Sequence, residues 1–463
     1  FSAASEITTI KNLHSKDTEI DPKSLMKYCA YGFFPKNTSP YKNILQLDAG
    51  SNLLYDIDNH KYTINKYWDY RLEPETNHKE VYWTEKLYNL LDKSVEQRLQ
   101  ADTEVGTFLS GGLDSSIITH FASKNYKKKL KTFSINFENR ELNEKKYSEF
   151  ISKKYNTDHY DIIFNKENSL KFFNDYFENI SDLISDSSLI SYYQLCKLAS
   201  GKVKVVLGGD ASDELFAGYA TFNAFKIAEM LKMDKINLFP KLVNFVSRLV
   251  PFNSSSMNLK FKLDRFGKFN RKPFSLSNPL WLSPLSIDNI NKLFDTKIEL
   301  EEVYEDAINA WNESEGSNFE KVQEFYINFF LKNQTLVKID RLSMRNGLEI
   351  RSPFLDIELV ECIRRIPSNL KLKSFTNKYI LKKTFENVFG KKFTYRKKVG
   401  LTAPISDIIL NNTSNMSIKS EFLKEKKSYY ESLLSDHINK KKEKRLEIWN
   451  ILSLDKFLSK YET

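Results

Sequence analysis

The run Ser-Gly-Gly-Leu-Asp-Ser-Ser at residues 110–116 has the composition of a phosphate-binding loop. An apolar stretch (105–109) precedes it and an amphipathic stretch (116–124) follows, which predicts a strand, a tight turn and a helix. In that arrangement backbone N–H groups and the helix N-terminus face a bound anion. The two glycines allow close approach of the backbone to phosphates, and the serine hydroxyls add donors. No lysine follows the last glycine, so the loop is not of the Walker class.

A second glycine-rich turn, within residues 208–219, carries three carboxylates in five positions: Asp210, Asp213 and Glu214. Carboxylates this close repel one another unless a cation lies among them. Oxygen ligands suit Mg²⁺, which arrives already bound to nucleotide phosphates. The alternative is a helix whose acidic first turn faces solvent, which the helix dipole favours. Together with the first loop, the turn favours metal-assisted phosphate chemistry.

Two further charged segments lie downstream. Residues 338–344 and 348–356 alternate charges with Leu, Ile and Phe, which predicts an internal salt-bridge network in a helical region that shapes a pocket floor. Residues 378–383 and 396–401 contain isolated lysines, which near a helix ordinarily lie at the surface. Lysines are also the cations that absorb the charge growing on pyrophosphate as it leaves. Spacing alone leaves both interpretations of the lysines open.

The composition sets the broad class. The chain has 463 residues, 41% hydrophobic and 28% charged, as in a globular protein of two or three domains. Its net charge of +10 lies partly in lysine runs without aromatic-interleaved motifs, so nucleic-acid binding is not predicted. Cys29, Cys196 and Cys362 are far apart, which argues against a zinc site and for buried thiols in a reducing compartment. With no apolar run of 18 residues and no signal peptide, we expect no membrane span and a cytoplasmic location.

The elements that must position these motifs follow from the hydrophobic pattern. Strand-like stretches fall at residues 105–109, 131–137, 159–164 and 203–208. Helical periodicity falls at residues 82–99, 116–124, 144–155 and 187–200. This alternation predicts an α/β sheet, parallel at least in part, with phosphate chemistry at the carboxyl ends of its strands. Beyond residue 220 helical periodicity dominates, whereas residues 44–47, 51–57 and 61–68 predict a small antiparallel β element. Residues 1–10 show no helix start.

The four segments, taken in this order, resemble the synthetase domain of the asparagine synthetase (glutamine-hydrolysing) family. The resemblance runs from about residue 80 to the C-terminus and includes a late helical pattern at 446–452. Its first loop is similar to the pyrophosphate-binding loop of ATP pyrophosphatases, which cleave ATP to AMP and pyrophosphate. The resemblance implies an α/β fold of the ATP pyrophosphatase (adenine nucleotide alpha hydrolase-like) type, with a partly parallel sheet and a helical C-terminal extension.

The first 70 residues are similar to the closing part of the family's N-terminal-nucleophile glutaminase β domain, through the runs Ala-Ser-Glu-Ile at 4–7 and Tyr-Trp-Asp at 67–69. That domain needs a Cys as its first residue, and Phe1 stands here. We therefore expect no glutamine hydrolysis, and expect either a fragment of a longer protein or a chain that takes ammonia from solution or a partner. The implied organisation is a glutamine amidotransferase remnant at 1–70, a linker at 71–79 and a synthetase domain at 80–463. Within that domain, 80–220 form the nucleotide-binding part and 221–463 a mostly helical part.

The resemblance also implies roles for individual residues. The implied ATP-binding residues are Leu109, Ser110, Gly111, Gly112, Asp114, Ser115, Ser116, Ser134, Ile135 and Gly209. Asp114 and Asp213 are the implied Mg²⁺-facing carboxylates. Lys378 and Lys398 are implied to stabilise the departing pyrophosphate. Asp210 is implied either to bind the substrate amine or to help deprotonate incoming ammonium.

The implied reaction is ATP-dependent amidation of a carboxylate through an acyl-adenylate, with aspartate the default acceptor and ammonia or glutamine the nitrogen source. The family commonly has Ser-Gly-Asp-Gly where residues 208–211 stand, so Ala211 is a mild departure. Leu183 and Ser191 replace prolines near the family's acceptor segment, so other acceptors stay open: a sugar acid, or an intramolecular amide closure. An inactive nucleotide-binding scaffold is the alternative of another class. A tRNA-modifying enzyme with the same loop would need an RNA-binding module or catalytic cysteines, and the sequence shows neither. Family members are often dimers, and a homodimer is expected by analogy.

Overall fold

A computed structural model describes most of the chain. The described residues are 1–14, 18–137, 143–164, 169–179, 182–235, 259–269, 272–397, 403–413, 416–439 and 441–460.

Two helices and a β-hairpin form the N-terminal region. They are α1 (Ile7–Leu13), α2 (Pro22–Tyr31), β1 (Ser51–Asp56) and β2 (Lys61–Lys66). The antiparallel pairing of β1 with β2 confirms the predicted β element. The prediction of a strand at 44–47 is wrong, because those residues pair with no other strand. Helix α1 was not foreseen, since Glu6 at its N-cap makes no side-chain capping bond that a sequence pattern would reveal.

A five-stranded parallel sheet organises the region that carries the glycine-rich turns. Its strands are β3 (Val105–Phe108), β4 (Lys131–Asn136), β5 (Asp158–Ile163), β6 (Val205–Leu207) and β7 (Glu349–Arg351). They lie in the order β5-β4-β3-β6-β7, and every neighbouring pair is parallel. The predicted parallel α/β sheet is therefore confirmed, with β3 and β6 as neighbours. Because parallel strands end at one edge, the two turns that follow β3 and β6 must lie close together.

Helices connect the strands and cover both faces of the sheet. The first are α3 (Glu80–Arg98), α4 (Leu113–Asn125), α5 (Lys145–Lys154), α6 (Ser169–Asn179) and α7 (Ser188–Ser200). All except α6 were predicted within a few residues. Phe108, Phe133 and Val206 pack on the face that α7 covers. Val105 and Leu207 pack on the opposite face with apolar side chains of α3 and α4.

The later part of the described chain is mostly helical, as predicted. Its α-helices are α8 (Ser212–Leu215), α9 (Ala220–Met230), α10 (Leu259–Gly267), α11 (Ser277–Leu282), α12 (Ile287–Phe294), α13 (Leu300–Val303), α14 (Glu305–Glu313), α15 (Asn318–Phe325), α16 (Leu336–Arg345), α17 (Ile357–Arg365), α18 (Ser368–Lys371), α19 (Tyr379–Phe389), α20 (Lys391–Thr394), α21 (Ile405–Asn411), α22 (Glu421–Lys424), α23 (Lys427–Ile438) and α24 (Arg445–Ser459). A π-helix spans Tyr326–Thr335, and 3₁₀ turns span Phe274–Leu276 and Pro353–Leu355. In the described residues, no helix has the length and apolar character needed to cross a membrane.

Three short strands interrupt this mostly helical part. Strands β8 (Leu372–Lys373) and β9 (Thr376–Asn377) form a small ladder, and β7 is the outer strand of the parallel sheet. The segment 348–356, expected within a helical network, thus contains strand β7 and a 3₁₀ turn instead. Elements of two or three residues are too short to show a hydrophobic period.

The core is rich in aromatic side chains. Among the largest fully buried side chains are Trp83, Trp449 and Tyr326. Trp449 lies on α24, which contains the late helical pattern predicted at 446–452. All three cysteines are buried and free, as expected.

Gly106 in the middle of β3 has no room for a side chain. A Cβ there would lie 2.7 Å from the Phe133 ring and 2.9 Å from the Lys131 carbonyl oxygen. We expect Gly106→Ala to lower the free energy of unfolding, measured with urea, by about 2 kcal/mol through overpacking.

Gly201→Ala is the matched control, because a Cβ there would lie 3.7 Å from its nearest neighbour, the Leu198 carbonyl oxygen, and the backbone of Gly201 is helical. It should leave the free energy of unfolding unchanged or raise it by up to about 1 kcal/mol. Equal stability of the two variants would contradict the close packing of β3 against β4.

Candidate active site

The first predicted loop joins β3 directly to helix α4. Gly111 adopts a left-handed conformation (φ +80°) and Gly112 is the N-cap of α4. The Ser110 hydroxyl accepts from the Gly112 N–H at 3.2 Å and lies 3.1 Å from the Ser115 hydroxyl. The Ser116 hydroxyl donates to the Gly112 carbonyl at 2.7 Å and is fully buried. The hydroxyl of Ser116 therefore shapes the loop from inside, whereas the exposed Ser110 lies at its open side.

The second predicted turn follows β6 and contacts the first. A Cβ on Gly209 would lie 3.0 Å from the Ser115 nitrogen, so the two backbones nearly touch. The Ser212 hydroxyl, at the start of α8, donates to Asp114 Oδ1 at 2.8 Å. Ala211 has φ +71°, a conformation that glycine adopts without strain. This accounts for the glycine that is common at this position in the family that the motifs resemble. The turns are thus joined by a direct hydrogen bond.

Lys378 inserts its ammonium group between the two turns. Its Nζ lies 2.8 Å from Asp114 Oδ1, 2.7 Å from Asp213 Oδ1 and 3.2 Å from Ser212 Oγ. Lys378 is buried and is the N-cap of α19, with φ +53°. A Cβ on Gly218 would lie only 2.0 Å from Asp213 Oδ1 and 2.2 Å from Lys378 Cε, so the pair needs a glycine there. The structure brings Asp114, Asp213 and Lys378 together across 264 residues of sequence.

The donor set fits a divalent cation that also binds phosphate. Two carboxylates, from Asp114 and Asp213, converge on one cationic nitrogen. Among the described residues no group of three or more His, Cys, Asp or Glu side chains is arranged to hold a metal ion alone. Mg²⁺ is commonly held by one or two carboxylates with substrate phosphates completing its shell. The two predicted Mg²⁺ residues therefore both contact Lys378, and a metal ion bound by them would take its remaining ligands from phosphate oxygens.

Asp210 contacts helix α7. Its Oδ2 accepts from the Tyr192 hydroxyl at 3.4 Å. Lys338 lies 6.0 Å from the centre of the Tyr192 ring, and its Nζ donates to Asp186 at 2.5 Å and to Ser188 at 2.8 Å. Burial raises the pKa of Asp186, but Lys338 outweighs it and the net pKa is lowered. The salt-bridge network predicted for residues 338–344 thus exists here, next to the acidic turn.

Ser134 and Ile135, the predicted adenine neighbours, lie near the carboxyl end of β4. The Ser134 hydroxyl is buried and lies 3.2 Å from His159 Nε2 on β5. Leu109 continues the sheet, since its N–H donates to the Phe133 carbonyl at 2.8 Å. His159 was missed by sequence reasoning, because a single histidine in a strand carries no motif.

Two other residues of this region had no predicted role. The Arg396 guanidinium donates to the Gly111 carbonyl and to Glu144, as described further below. Glu214 is buried and accepts from the Tyr219 hydroxyl at 2.7 Å. Burial, with a contribution from the Asp213 carboxylate, raises the pKa of Glu214 to about 7. Lys398, by contrast, lies outside the described residues, so its predicted role stays a prediction.

Comparison with known proteins identifies the family. A family model described as asparagine synthase matches residues 86–459. The chain belongs to the asparagine synthase family. This confirms the resemblance drawn from the four motifs, and with it the predicted α/β fold class and the enzyme class, an ATP-dependent ligase of the asparagine synthetase type.

Relatives in this family carry asparagine synthetase names. Asparagine synthetase (glutamine-hydrolyzing) 1 of Bacillus subtilis (strain 168) is 27% identical over 94% of this chain and 68% of its own length. A putative asparagine synthetase of Mycobacterium tuberculosis (strain H37Rv) is 26% identical over 84% of this chain and 59% of its own. A putative asparagine synthetase of Methanocaldococcus jannaschii is 33% identical over 53% of this chain and 46% of its own length. The chain thus spans between about half and two thirds of these relatives.

Among solved structures, an NMN synthetase of Francisella tularensis aligns with 54% of this chain and 94% of its own at 13% identity. Its TM-score of 0.24 is too low to indicate a shared fold. The fold assignment therefore rests on the parallel sheet, the loop after β3 and the family match.

The raised pKa of Glu214 gives a pH dependence of stability. The folded state keeps this proton up to about pH 7, whereas the unfolded chain loses it near the ordinary value of 4.5. Folding therefore binds a proton in this window, and the free energy of unfolding falls as pH rises through it, by at most roughly 3 kcal/mol. Glu214→Gln has no such proton, and urea unfolding from about pH 5 to pH 8 should show a flatter pH profile for this variant.

Glu315→Gln is the control, because Glu315 is exposed. It should keep the wild-type pH profile. A Glu214→Gln profile parallel to the wild-type profile would show that Glu214 is ionised in the folded protein.

Proposed function

We propose that this protein forms an amide from a carboxylic acid and ammonia, with cleavage of ATP to AMP and pyrophosphate. Aspartate is the proposed acceptor and asparagine the product. The observation that carries the proposal is the convergence of Asp114, Asp213 and Lys378 between the two turns at the carboxyl edge of the sheet. Family membership supports the same chemistry, since the relatives are named asparagine synthetases.

The proposed reaction solves a leaving-group problem in two steps. A carboxylate is a poor electrophile, and its oxygen is a poor leaving group. In the first step a carboxylate oxygen attacks the α-phosphorus of ATP, the bond to the bridging oxygen breaks, and pyrophosphate leaves with that electron pair. In the second step ammonia attacks the acyl carbon of the acyl-adenylate and AMP leaves. A proton lost from the ammonium nitrogen must pass to a nearby base.

The pyrophosphate end of ATP is assigned to the loop after β3. The backbone N–H groups of 110–112 and the N-terminus of α4 supply donors for its oxygens. Lys378 lies where charge grows on the leaving pyrophosphate, and a fixed cation there favours the transition state over the bound substrate. Mg²⁺ held by Asp114 and Asp213 would neutralise phosphate charge when bound. Lys398 is proposed as a second cation.

The remaining predicted residues are assigned to the adenosine and the acceptor. Leu109, Ser134 and Ile135 are proposed to border the adenosine, with Gly209 allowing close approach from the neighbouring turn. Asp210 is proposed to bind the substrate amine or to take the ammonium proton, since it lies on the α7 side of the turn beside Tyr192.

The nitrogen source and the domain division are further parts of the proposal. We propose that residues 80–463 form the synthetase domain, that 71–79 are a linker and that 1–70 belong to a glutaminase domain. Nitrogen is then ammonia, either free or released from glutamine by a glutaminase portion. The assay below uses ammonium chloride, so it tests the amidation without needing glutaminase activity.

The test is release of AMP and pyrophosphate from ATP and Mg²⁺ in ammonium chloride, with aspartate and other carboxylic acids, including sugar acids, added singly. Aspartate-dependent release, with an equal amount of asparagine by mass spectrometry, is the expected result. Release with another acid alone would keep the amidation chemistry and overturn aspartate as the acceptor. ATP binding with no release for any acid would favour the scaffold.

Lys378→Ala tests whether the ammonium group between Asp114 and Asp213 contributes to catalysis. Loss of this cation should lower kcat by about 100-fold or more, or roughly 3 kcal/mol of transition-state stabilisation, in the range seen for lost oxyanion donors. Steady-state pyrophosphate release checks it, with a thermal unfolding curve to establish that the variant is folded.

Lys383→Ala is the matched control on the same helix, since its side chain is 46% exposed and pairs with Glu386. It should retain wild-type turnover. A folded Lys378→Ala variant with near-normal kcat would remove Lys378 from the proposed mechanism.

A further inference from the structure

Arg396 contacts the loop after β3 (residues 110–112) from a distant part of the chain. Its Nη2 donates to the Gly111 carbonyl at 2.6 Å, and its Nη1 donates to Glu144 Oε1 at 2.7 Å. Its guanidinium carbon lies 3.8 Å from the centre of the Tyr147 ring. The side chains of Arg396 and Glu144 are only 11% and 12% exposed. One planar group therefore joins the loop to the start of helix α5.

The carbonyl that Arg396 holds belongs to the peptide between Gly111 and Gly112. The described peptide bonds are trans, and in a planar trans peptide the C=O and the N–H point in opposite directions. Fixing the Gly111 carbonyl toward Arg396 therefore turns the Gly112 N–H the other way. The Gly112 N–H donates to the Ser110 hydroxyl at 3.2 Å, at the open side of the loop where the exposed Ser110 lies.

Within the loop, the hydrogen bond to the Ser110 hydroxyl is the restraint on this peptide that the structure shows. Both flanking residues are glycines, which have the widest conformational freedom, and Gly111 already has φ +80°. A peptide turned by half a revolution would aim a carbonyl oxygen, instead of an N–H, at a bound phosphate, which repels it. The loop therefore needs a group outside it that selects one orientation.

The surroundings of Gly111 show how closely the loop is fitted to helix α5. A Cβ on Gly111 would lie 2.5 Å from the Ser148 nitrogen and 2.7 Å from Tyr147 Cβ. Helix α5 thus limits the loop on one side, and Arg396 ties its carbonyl to the same helix. A guanidinium can donate in two directions while stacking on a ring, which an ammonium group cannot do in the same geometry.

We propose that Arg396 is a positioning residue that fixes the peptide between Gly111 and Gly112, so that the Gly112 N–H faces the pyrophosphate group of ATP. The inference rests on the proposed function, because it assumes that this loop binds pyrophosphate. Arg396 acts through the loop backbone and does not itself touch the substrate.

The experiment measures binding of pyrophosphate with Mg²⁺, and of AMP separately, by calorimetry. Wild-type protein, Arg396→Ala, Arg396→Lys and the control Arg351→Ala are compared. Arg351 also pairs with a glutamate, Glu349, and donates to the carbonyls of Arg98 and Gln100, but away from the loop. Arg396→Ala should weaken pyrophosphate binding tenfold or more and change AMP binding less than twofold, whereas Arg351→Ala should change neither.

Arg396→Lys separates peptide orientation from simple charge. It keeps the positive charge and should fold, yet should lose most of the pyrophosphate affinity because lysine lacks the planar fork. Wild-type affinity in this variant would show that charge alone matters and would overturn the proposal. An equal loss of pyrophosphate and AMP binding in Arg396→Lys would indicate general damage and would also overturn it.

A second readout observes the peptide itself. Glycine-selective ¹⁵N labelling gives amide signals for 14 glycines, and Gly112→Ala identifies the signal of Gly112. Pyrophosphate should shift this signal in the wild-type protein and not in Arg396→Lys. Equal shifts in both would overturn the proposal. Wild-type protein that binds no pyrophosphate would overturn the proposed function as well, which distinguishes the two failures.

Discussion

The ammonium group of Lys378 lies between the carboxylates of Asp114 and Asp213, and the rest of the site is arranged around this contact. Asp114 belongs to the turn after β3, Asp213 to the turn after β6, and Lys378 to the start of helix α19. All three side chains are largely buried, so each charge depends on the others for compensation. Removal of one partner would leave an uncompensated charge in a region of low dielectric. The contact therefore holds three distant segments in one place, where binding of phosphate and Mg²⁺ is proposed.

Three residues around this contact adopt strained backbone conformations. Ala211, Ala217 and Lys378 all have positive φ values, which cost a residue with a side chain about 1 kcal/mol or more each. Ala211 and Ala217 flank the short helix that carries Asp213, and Gly218 leaves the space that Lys378 Cε fills. The turns and Lys378 adopt these conformations because surrounding packing fixes them, and the strain is concentrated where the chemistry is proposed.

A buried polar layer supports the acidic turn from behind. Gln323, fully buried on helix α15, donates to the carbonyls of Glu214 and Leu215 at 3.1 and 2.6 Å. Lys371 is also fully buried and lies 3.5 Å from the Gln323 side-chain oxygen. Burial lowers the pKa of Lys371 to about 7. These contacts come from the helical part of the chain, so that part does more than cover the sheet: it orients the turn that carries Asp213.

The sequence by itself determined the parallel sheet, the two turns and the family, because glycine spacing, clustered carboxylates and apolar periodicity are local signals. It also selected Asp114, Asp213 and Lys378, although only the resemblance linked them to one reaction. Tertiary structure alone decided that these three side chains meet, since 264 residues separate Asp114 from Lys378 and no spacing rule spans that distance. It likewise revealed His159 beside Ser134, Gln323 behind the turn and Arg396 on the Gly111 carbonyl. Such residues act through one or two contacts that only the packing of the chain makes possible. A single residue outside a repeating pattern or motif gives no signal in the sequence.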